Sequence, residues 1–323
     1  MIIATLANCE RIEICLYSYR SPFGSLHSYI NRMSYLKELA ATRSFQLDRY
    51  PSDLSARISP EKAKKKLKKL RKKIAELQDK MYAHDRYGVL ICLQGIDTAG
   101  KDSLIREVFK EMNVRGVNVE SFKTPSKTEL QHDYLWRHEI KLPEKGKFTV
   151  FNRTHYENVL VTRVHPELLL HEQIPGIEQV ADIPNDFWKM RFEQINAFEK
   201  RVTQNGTIVL KFFLNLSKDE QKHRLLRRLD KEDKNWKFSA GDLKERALWA
   251  RYMDCYQEAI QQTSKRLAPW YIIPADSKPV ARYLVAKIIY EVLSARADIK
   301  YPEMPDSFDQ EKEQYKRQLH SEE

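Results

Sequence analysis

The chain has 323 residues, of which 42% are hydrophobic and 31% charged, with 56 Lys and Arg against 45 Asp and Glu and a formal net charge of +11. The length suits one large domain or two small ones and supports a core without disulfide staples; the apolar content excludes a disordered chain, and no apolar run reaches the roughly eighteen residues of a membrane span. Cys9, Cys15, Cys92 and Cys255 stand far apart with no C-x-x-C, which excludes a disulfide scaffold and an all-cysteine zinc site and fits a reducing, cytoplasmic setting.

Residues 1–32 differ from the rest of the chain. Met1, Ile2 and Ile3 lead into Glu10, Arg11 and Glu13, with Cys9, Cys15, Tyr17 and Tyr19 scattered among them. A secretory signal needs a basic start and an unbroken apolar stretch of about 7–15 residues, and neither is present. An irregular leader is expected over residues 1–44, with Met33 as a natural start. From Glu61 to Met81 the spacing of Leu67, Leu70, Ile74, Leu77 and Met81 predicts a helix with one apolar stripe. Ser59 is placed to cap it, with Pro60 in the first turn. Lys64, Lys65, Lys66, Lys68, Lys69, Lys72 and Lys73 cover its other faces. Such a face is either solvated surface or a rail for a polyanion; nucleic acid, nucleotide, polyphosphate and anionic lipid all match the net charge.

The period then changes. Val89 to Leu93 is a short continuous apolar run, the pattern of a buried parallel strand. Further strands are predicted over Val117–Phe122, Phe148–Phe151, Thr207–Leu214 and Trp270–Ile273. Helical stripes lie between or after them: Trp188, Phe192, Ile195, Phe198 and Val202, then Ala281, Leu284, Val285, Ile288 and Val292. Strands alternating with helices imply an α/β domain with a mainly parallel sheet covered on both faces. In such sheets ligands bind at the carboxyl ends of the strands.

Gly95-Ile96-Asp97-Thr98-Ala99-Gly100-Lys101 follows the first strand and opens a helix. G-x-x-x-x-G-K in that setting is a phosphate-binding loop: Gly95, Thr98, Ala99 and Gly100 supply backbone amides, the helix N-terminus adds partial positive charge, and Lys101 reaches terminal oxygens. The usual next residue is a magnesium-binding Ser or Thr; here it is Asp102, followed by Ser103. Asp97 lies inside the loop, where phosphate would repel it unless a metal intervenes. Three roles are open: a ligand to Mg²⁺, which prefers hard oxygens; a group that orients or activates the attacking phosphate; or a loop cap bonding local amides. The third strand ends in Phe151-Asn152-Arg153-Thr154-His155-Tyr156-Glu157. Asn152 stands where a P-loop enzyme has a magnesium-binding Asp. Arg153 is suited to clamp a phosphate bidentately, and Glu157 reaches the same crevice if a helix starts there. Over residues 222–251, ten Lys and Arg outnumber five acids, with Trp236, Phe238 and Trp249 interleaved. This composition suits nucleic-acid binding or a mobile arginine lid that closes on transferred phosphates, but no RNA- or DNA-binding signature accompanies it.

Together these segments resemble the polyphosphate kinase 2 family, from about Phe45 to Leu293. The resemblance rests on L-Q-G-I-D-T-A-G-K-D (Leu93–Asp102), S-F-K-T-P-S (Ser121–Ser126), H-D-Y-L-W-R (His132–Arg137), F-N-R-T-H-Y-E (Phe151–Glu157) and R-L-D-K-E-D-K-N-W-K-F-S (Arg228–Ser239), with W-Y-I-I-P-A-D at Trp270–Asp276. It implies a P-loop kinase fold over 45–300 with a helical lid near 222–251. It also implies reversible phosphoryl transfer from inorganic polyphosphate to ADP and AMP; F-N-R, in place of F-D-R, resembles the class acting on both nucleoside mono- and diphosphates. By motif, Asp97 would act through Mg²⁺ and Lys101 and Arg153 on phosphate. Lys123 and Arg137 would line the phosphate path, Asn152 and Glu157 would sit near the nucleotide and metal, and Arg224, Arg228 and Lys237 would close over the reacting groups. Asn158 departs from the family's Asp after Y-E, and Asp102-Ser103-Leu104 departs from D-G-T. The resemblance also implies a homo-oligomer, with neither membrane nor nucleic acid as partner. Two other readings compete: an ATP-using nucleotide kinase of thymidylate-kinase type, and a non-enzymatic nucleic-acid-binding P-loop module. The charged segment 301–323 is expected to be a solvated helix or tail.

Overall fold

Ser59 stops the extended chain by accepting the amide of Lys62 on its hydroxyl, and Pro60 takes the first turn of a 25-residue helix, α1 (Pro60–His84). The computed structural model describes residues 34–322 apart from 43 and 306. The stripe of α1 buries Ala63, Leu67, Ile74, Gln78 and Met81. Leu70 and Leu77 are only half-buried. Gln78 joins the stripe because its amide is fully used: Nε2 donates to the Asn113 carbonyl at 2.9 Å and Oε1 accepts the Asn113 amide at 2.8 Å. A buried amide paired at both ends avoids the penalty of an unsatisfied polar group.

The five expected strands form, as β1 (Gly88–Gln94), β2 (Val117–Ser121), β3 (Phe148–Asn152), β4 (Thr207–Asn215) and β5 (Trp270–Pro274). All are parallel, in the order β2-β3-β1-β4-β5. β1 is central, pairing Val89 with Phe148 on one side and with Ile208 on the other, and every one of its residues is buried. Between and after the strands lie α2 (Lys101–Val108), α3 (Glu157–Val164), α4 (Phe187–Gln204), α5 (Lys218–Asp230), α6 (Ala240–Ala247), α7 (Trp249–Thr263), α8 (Lys278–Ser294) and α9 (Phe308–His320). α8 packs along α1 and against α2, and α7 packs against α3. Among the described residues no helix is long and apolar enough to cross a membrane.

The expected irregular leader over 1–44 lies outside the described residues as far as 33. From there the chain is built into the fold: the short helix Ser34–Leu39 leads to Ala40, which bridges Tyr271, while the Ala41 amide donates to the Trp270 carbonyl at 2.8 Å. At the other end α9 exposes Tyr315 and Leu319, as expected of a solvated helix. The consequence of this topology is positional. β1 and β3 are neighbours, so the loops leaving their carboxyl ends, Gly95–Gly100 and Arg153–Tyr156, meet at one crevice.

Candidate active site

The loop after β1 needs unusual backbone angles. Gly100 has φ +105°, open to glycine alone without strain, and a Cβ on Gly95 would stand 3.0 Å from the Leu214 Cβ. Of the four described non-glycine residues in the left-handed region, two are at this crevice, Thr98 in the loop at φ +68° and Arg153 after β3 at φ +61°. Each such conformation costs on the order of 1–3 kcal/mol and persists only where neighbours enforce it. The enforcement is visible. Arg224, 3% exposed, sends Nη1 to the carbonyls of Thr98 and Ala99, both at 3.0 Å. Its Nη2 reaches the carbonyls of Ala275 and Asp276 at 2.7 and 2.8 Å, and its Nε donates to Glu220 at 2.8 Å. All five guanidinium donors thus face protein acceptors. This corrects the expectation that Arg224 closes over the reacting groups: it clamps the phosphate loop from behind. Gln221 of the same helix holds the Asp97 carbonyl at 3.2 Å.

Asp97, Lys101, Arg153 and Glu157 do come together. They line a cavity of about 310 Å³ with Gly95 and Ile96 on its floor. Arg153 Nη2 lies 3.3 Å from Asp97 Oδ1. Lys101 Nζ donates to the Gly95 carbonyl at 2.5 Å, folded back onto its own loop. Burial pulls the Lys101 ammonium below the usual lysine range, against the raising pull of Asp97. For Arg153 burial also acts to lower, but Glu157 and then Asp97 outweigh it and leave the guanidinium raised. The cavity therefore sets two cations, Lys101 and Arg153, among the carboxylates of Asp97 and Glu157 at the carboxyl ends of β1 and β3, and the cations are suited to receive phosphate oxygens.

The other expected residues are placed unevenly. Asn152 Nδ2 donates to Asp102 Oδ1 at 2.7 Å, so the two departures from the usual P-loop pattern are partners. A carboxylate at 152 would face Asp102 directly, like charge on like. Arg137 is buried and donates to the Lys123 carbonyl at 2.8 Å, with Glu129 at 3.9 Å; it props the exposed Lys123 segment. Arg228 ties the lid together, donating to the Lys237 carbonyl at 3.2 Å and to Asp242 at 2.9 Å. Lys237 is exposed, its Nζ 4.8 Å from the Trp236 ring centroid.

The far wall of the cavity was not legible in the sequence. It is made by His165, Glu167, Glu245, Tyr252 and Tyr256. His165 Nε2 lies 3.0 Å from Glu245 on α6, and the Tyr252 hydroxyl donates to the same carboxylate at 2.6 Å. Burial, and then Glu245, raise the Tyr252 phenol. Gln94 was missed as well: its Nε2 donates to Glu157 at 2.9 Å and to Thr154 Oγ1 at 3.1 Å, fixing the carboxylate and the turn after Arg153. Beneath that turn is a buried network. Lys211 of β4 donates to Glu199 at 2.6 Å and to the Tyr156 hydroxyl and the Thr263 carbonyl at 2.8 Å, and His155 Nε2 lies 3.2 Å from Glu199. Burial opposes the Glu199 carboxylate, yet Lys211 and His155 hold it below the usual range. The only sequence signal was one lysine inside an otherwise apolar strand.

Comparison with known proteins decides among the readings. The family model described as polyphosphate kinase 2 matches residues 57–301. The chain belongs to the polyphosphate kinase 2 family. It is 45% identical over 247 residues to an ADP-polyphosphate phosphotransferase of Rhodopseudomonas palustris, covering 76% of this chain and 84% of that one. It is 42% identical over 261 residues to an AMP/ADP-polyphosphate phosphotransferase of Meiothermus ruber, covering 80% and 92%. The crystal structure of polyphosphate kinase 2 from Arthrobacter aurescens superposes with a TM-score of 0.79 at 34% identity, over 89% of this chain and 96% of that one. The sheet order and the loop–helix junction are thus those of a P-loop kinase of this family, and the matched segment holds the phosphate loop, the Arg153 turn and the lid.

The chemistry of Asp97 would suit a Mg²⁺ ion, were one bound beside the phosphate loop. The residue presents a hard carboxylate at the cavity, next to the phosphate cradle. Among the described residues no group of three or more His, Cys, Asp or Glu converges to hold a metal. A metal bound here would take its remaining ligands from phosphate and water, the habit of Mg²⁺.

Proposed function

We propose that this chain moves a phosphoryl group reversibly between inorganic polyphosphate and the nucleotides ADP and AMP. It is a polyphosphate-dependent nucleotide kinase. The observation that carries this reading is the cavity in which Asp97, Lys101 and Arg153 share one face above the phosphate loop. A polyphosphate donor and both acceptors agree with the names of the Rhodopseudomonas and Meiothermus relatives. The amides of Gly95–Gly100 would cradle the donor's terminal phosphates. Lys101, released from the Gly95 carbonyl, and Arg153 would take the equatorial oxygens of the group in flight. Transfer of this kind needs alignment and charge neutralisation more than covalent help. Bound Mg²⁺, held by Asp97, would supply further neutralisation of phosphate charge. The tyrosines and His165 opposite the loop would shape the acceptor's place and exclude water.

The reading also takes the protein to be cytoplasmic and a homo-oligomer; light scattering of the purified protein would test the latter. An ATP-using nucleotide kinase shares the loop and the lid, but the relatives do not favour it. The deciding measurement incubates protein and Mg²⁺ with AMP or ADP and polyphosphate, and separately with AMP and ATP or GTP as donor, with Asp97→Asn as control. Phosphorylation from polyphosphate that the variant loses is the expected result. Transfer only from a nucleoside triphosphate would overturn the proposal. Comparing AMP with ADP sets the acceptor range, and polyphosphate synthesis from excess nucleoside triphosphate tests reversibility.

A further inference from the structure

The turn that carries Arg153 rests on a buried ion pair that never reaches the cavity. Thr154, His155 and Tyr156 follow Arg153 directly, and all three are fully buried. Three consecutive side chains turned inward leave the Arg153 side chain, 44% exposed, at the cavity. His155 and Tyr156 end on Lys211 of β4 and Glu199 of α4, themselves 0% and 2% exposed. The Lys211 ammonium has three protons to give, and they go to Glu199 Oε2, the Tyr156 hydroxyl and the Thr263 carbonyl. The second carboxylate oxygen, Glu199 Oε1, accepts the Tyr156 hydroxyl at 2.6 Å and lies 3.2 Å from His155 Nε2. Apart from the bond to Thr263, the hydrogen bonds that this pair makes beyond itself among the described residues all go to the turn after Arg153. The Tyr156 ring is fixed as well, packed edge-on to Trp270 at 4.7 Å between centroids.

Burying an ion pair is costly, and apolar residues of the same volume are often as stable or more so. Burial works against the Lys211 charge here, with Glu199 opposing. Stability is therefore a poor account of the pair, and geometry is a better one. Arg153 sits at φ +61°, a conformation that lasts only where neighbours enforce it. The pinned ends of His155 and Tyr156 supply that enforcement from the side that follows Arg153. We propose that Lys211 and Glu199 are positioning residues for Arg153: through Tyr156 and His155 they hold the strained turn, and with it the guanidinium, where the transferred phosphoryl group passes. Neither residue lines the cavity; both act through the turn. This rests on Arg153 meeting that group, as proposed for the transfer step.

The test is a mutant cycle. Tyr156→Phe/Glu199→Met/Lys211→Met replaces the network by apolar groups of similar size. The kinetics are measured for this triple variant, for Arg153→Ala, for the two combined and for wild type. The triple variant is expected to melt at or above the wild-type temperature, to keep KM within about twofold and to lose about tenfold in kcat. In the Arg153→Ala background the same three changes should cost less than about twofold, because the group they position is gone. An equal loss in both backgrounds would make the network structural only and overturn the proposal, as would wild-type kcat in the triple variant. If the triple variant fails to fold, Tyr156→Phe alone enters the same cycle. It leaves Lys211 paired with Glu199 and breaks one link to the turn; a loss of about threefold, seen only where Arg153 is present, is expected, and its absence overturns the proposal. The cycle runs with whichever donor wild type uses, so transfer from a nucleoside triphosphate alone would overturn the donor reading while the cycle still judges the positioning role. With no transfer from any donor, the same proteins are compared in calorimetric binding of tripolyphosphate. A loss of affinity that requires Arg153 would then keep the positioning role and overturn only the transfer reading; no such loss would overturn both.

Discussion

Arg153 combines the cation proposed to meet the transferred phosphoryl group with a left-handed backbone, and the two can be separated. A side chain at φ +61° costs about 1–2 kcal/mol relative to glycine. Arg153→Gly and Arg153→Ala both remove the cation, so both are expected to lose about two orders of magnitude in kcat/KM. Only the glycine relieves the strain, and it should be the more stable of the two by about 1 kcal/mol in urea denaturation. Equal stability would mean that the turn is not strained. The buried imidazoles make a second prediction. His138 packs edge-on to Phe122, 4.1 Å between centroids, with neither ring nitrogen hydrogen-bonded, and burial holds it well below the usual histidine range. Burial lowers His155 as well, although Glu199 opposes this. Below about pH 6.5 the unfolded chain protonates these rings while the folded one does not. Their stability contribution is therefore complete above that pH and is lost as pH falls toward the folded values, with a slope of up to about 1.4 kcal/mol per pH unit for each ring. Melting curves from pH 7.5 to 5 should show the decline, and His138→Phe, which leaves the aromatic contacts in place, should lessen it. An unchanged slope in that variant would rule out His138 as a source.

At the scale of elements, α5 is the most informative helix. It carries Arg224, whose five bonds fix both strand exits, β1's through Thr98 and Ala99 and β5's through Ala275 and Asp276. Lysine cannot reproduce a planar fork. Arg224→Lys is expected to lower kcat at least tenfold, because small misplacements of reacting groups are that costly, while the sheet stays folded by circular dichroism. Wild-type kcat would show that the loop holds its shape unaided. The same helix shows what the sequence could and could not convey. All five strands, the phosphate loop and the Ser59 cap were legible, because period, glycine spacing and capping chemistry are local. Arg224 carried the same charge signal as its neighbours Arg227 and Arg228, and only the fold turns it inward to carbonyls 125 and 51 residues away. Gln94 and the His165–Glu245–Tyr252 wall come from four separate elements or loops, so no spacing along the chain could have joined them. Gln78 entered a stripe expected to hold Leu77 because its partners lie on the Asn113 backbone, out of reach of any periodicity argument.

For the molecule as a whole, the formal charge of +11 ties the binding of an anionic donor to ionic strength. Raising salt from about 50 to 200 mM shortens the Debye length to below about 10 Å, and KM for polyphosphate is expected to rise several-fold while kcat changes little. Polyphosphate at about a hundred times its dissociation constant should also add about 2.7 kcal/mol of stability, visible as a higher melting temperature than that of protein alone. A KM insensitive to salt would contradict an electrostatic donor site.

The order of the strands has a consequence during synthesis. β1 is wholly buried, yet its ladder partners are β3 and β4. On a ribosome adding about 5–20 residues per second, roughly 110 residues and some 6–20 s separate the end of β1 from the start of β4. Throughout that interval Val89 to Leu93 is an apolar strand with at least one bare edge. The central element of the sheet is thus the first strand made, yet it is enclosed only when the fourth arrives. The nascent chain is most vulnerable to aggregation while β1 waits, and that window lengthens if translation stalls before Thr207.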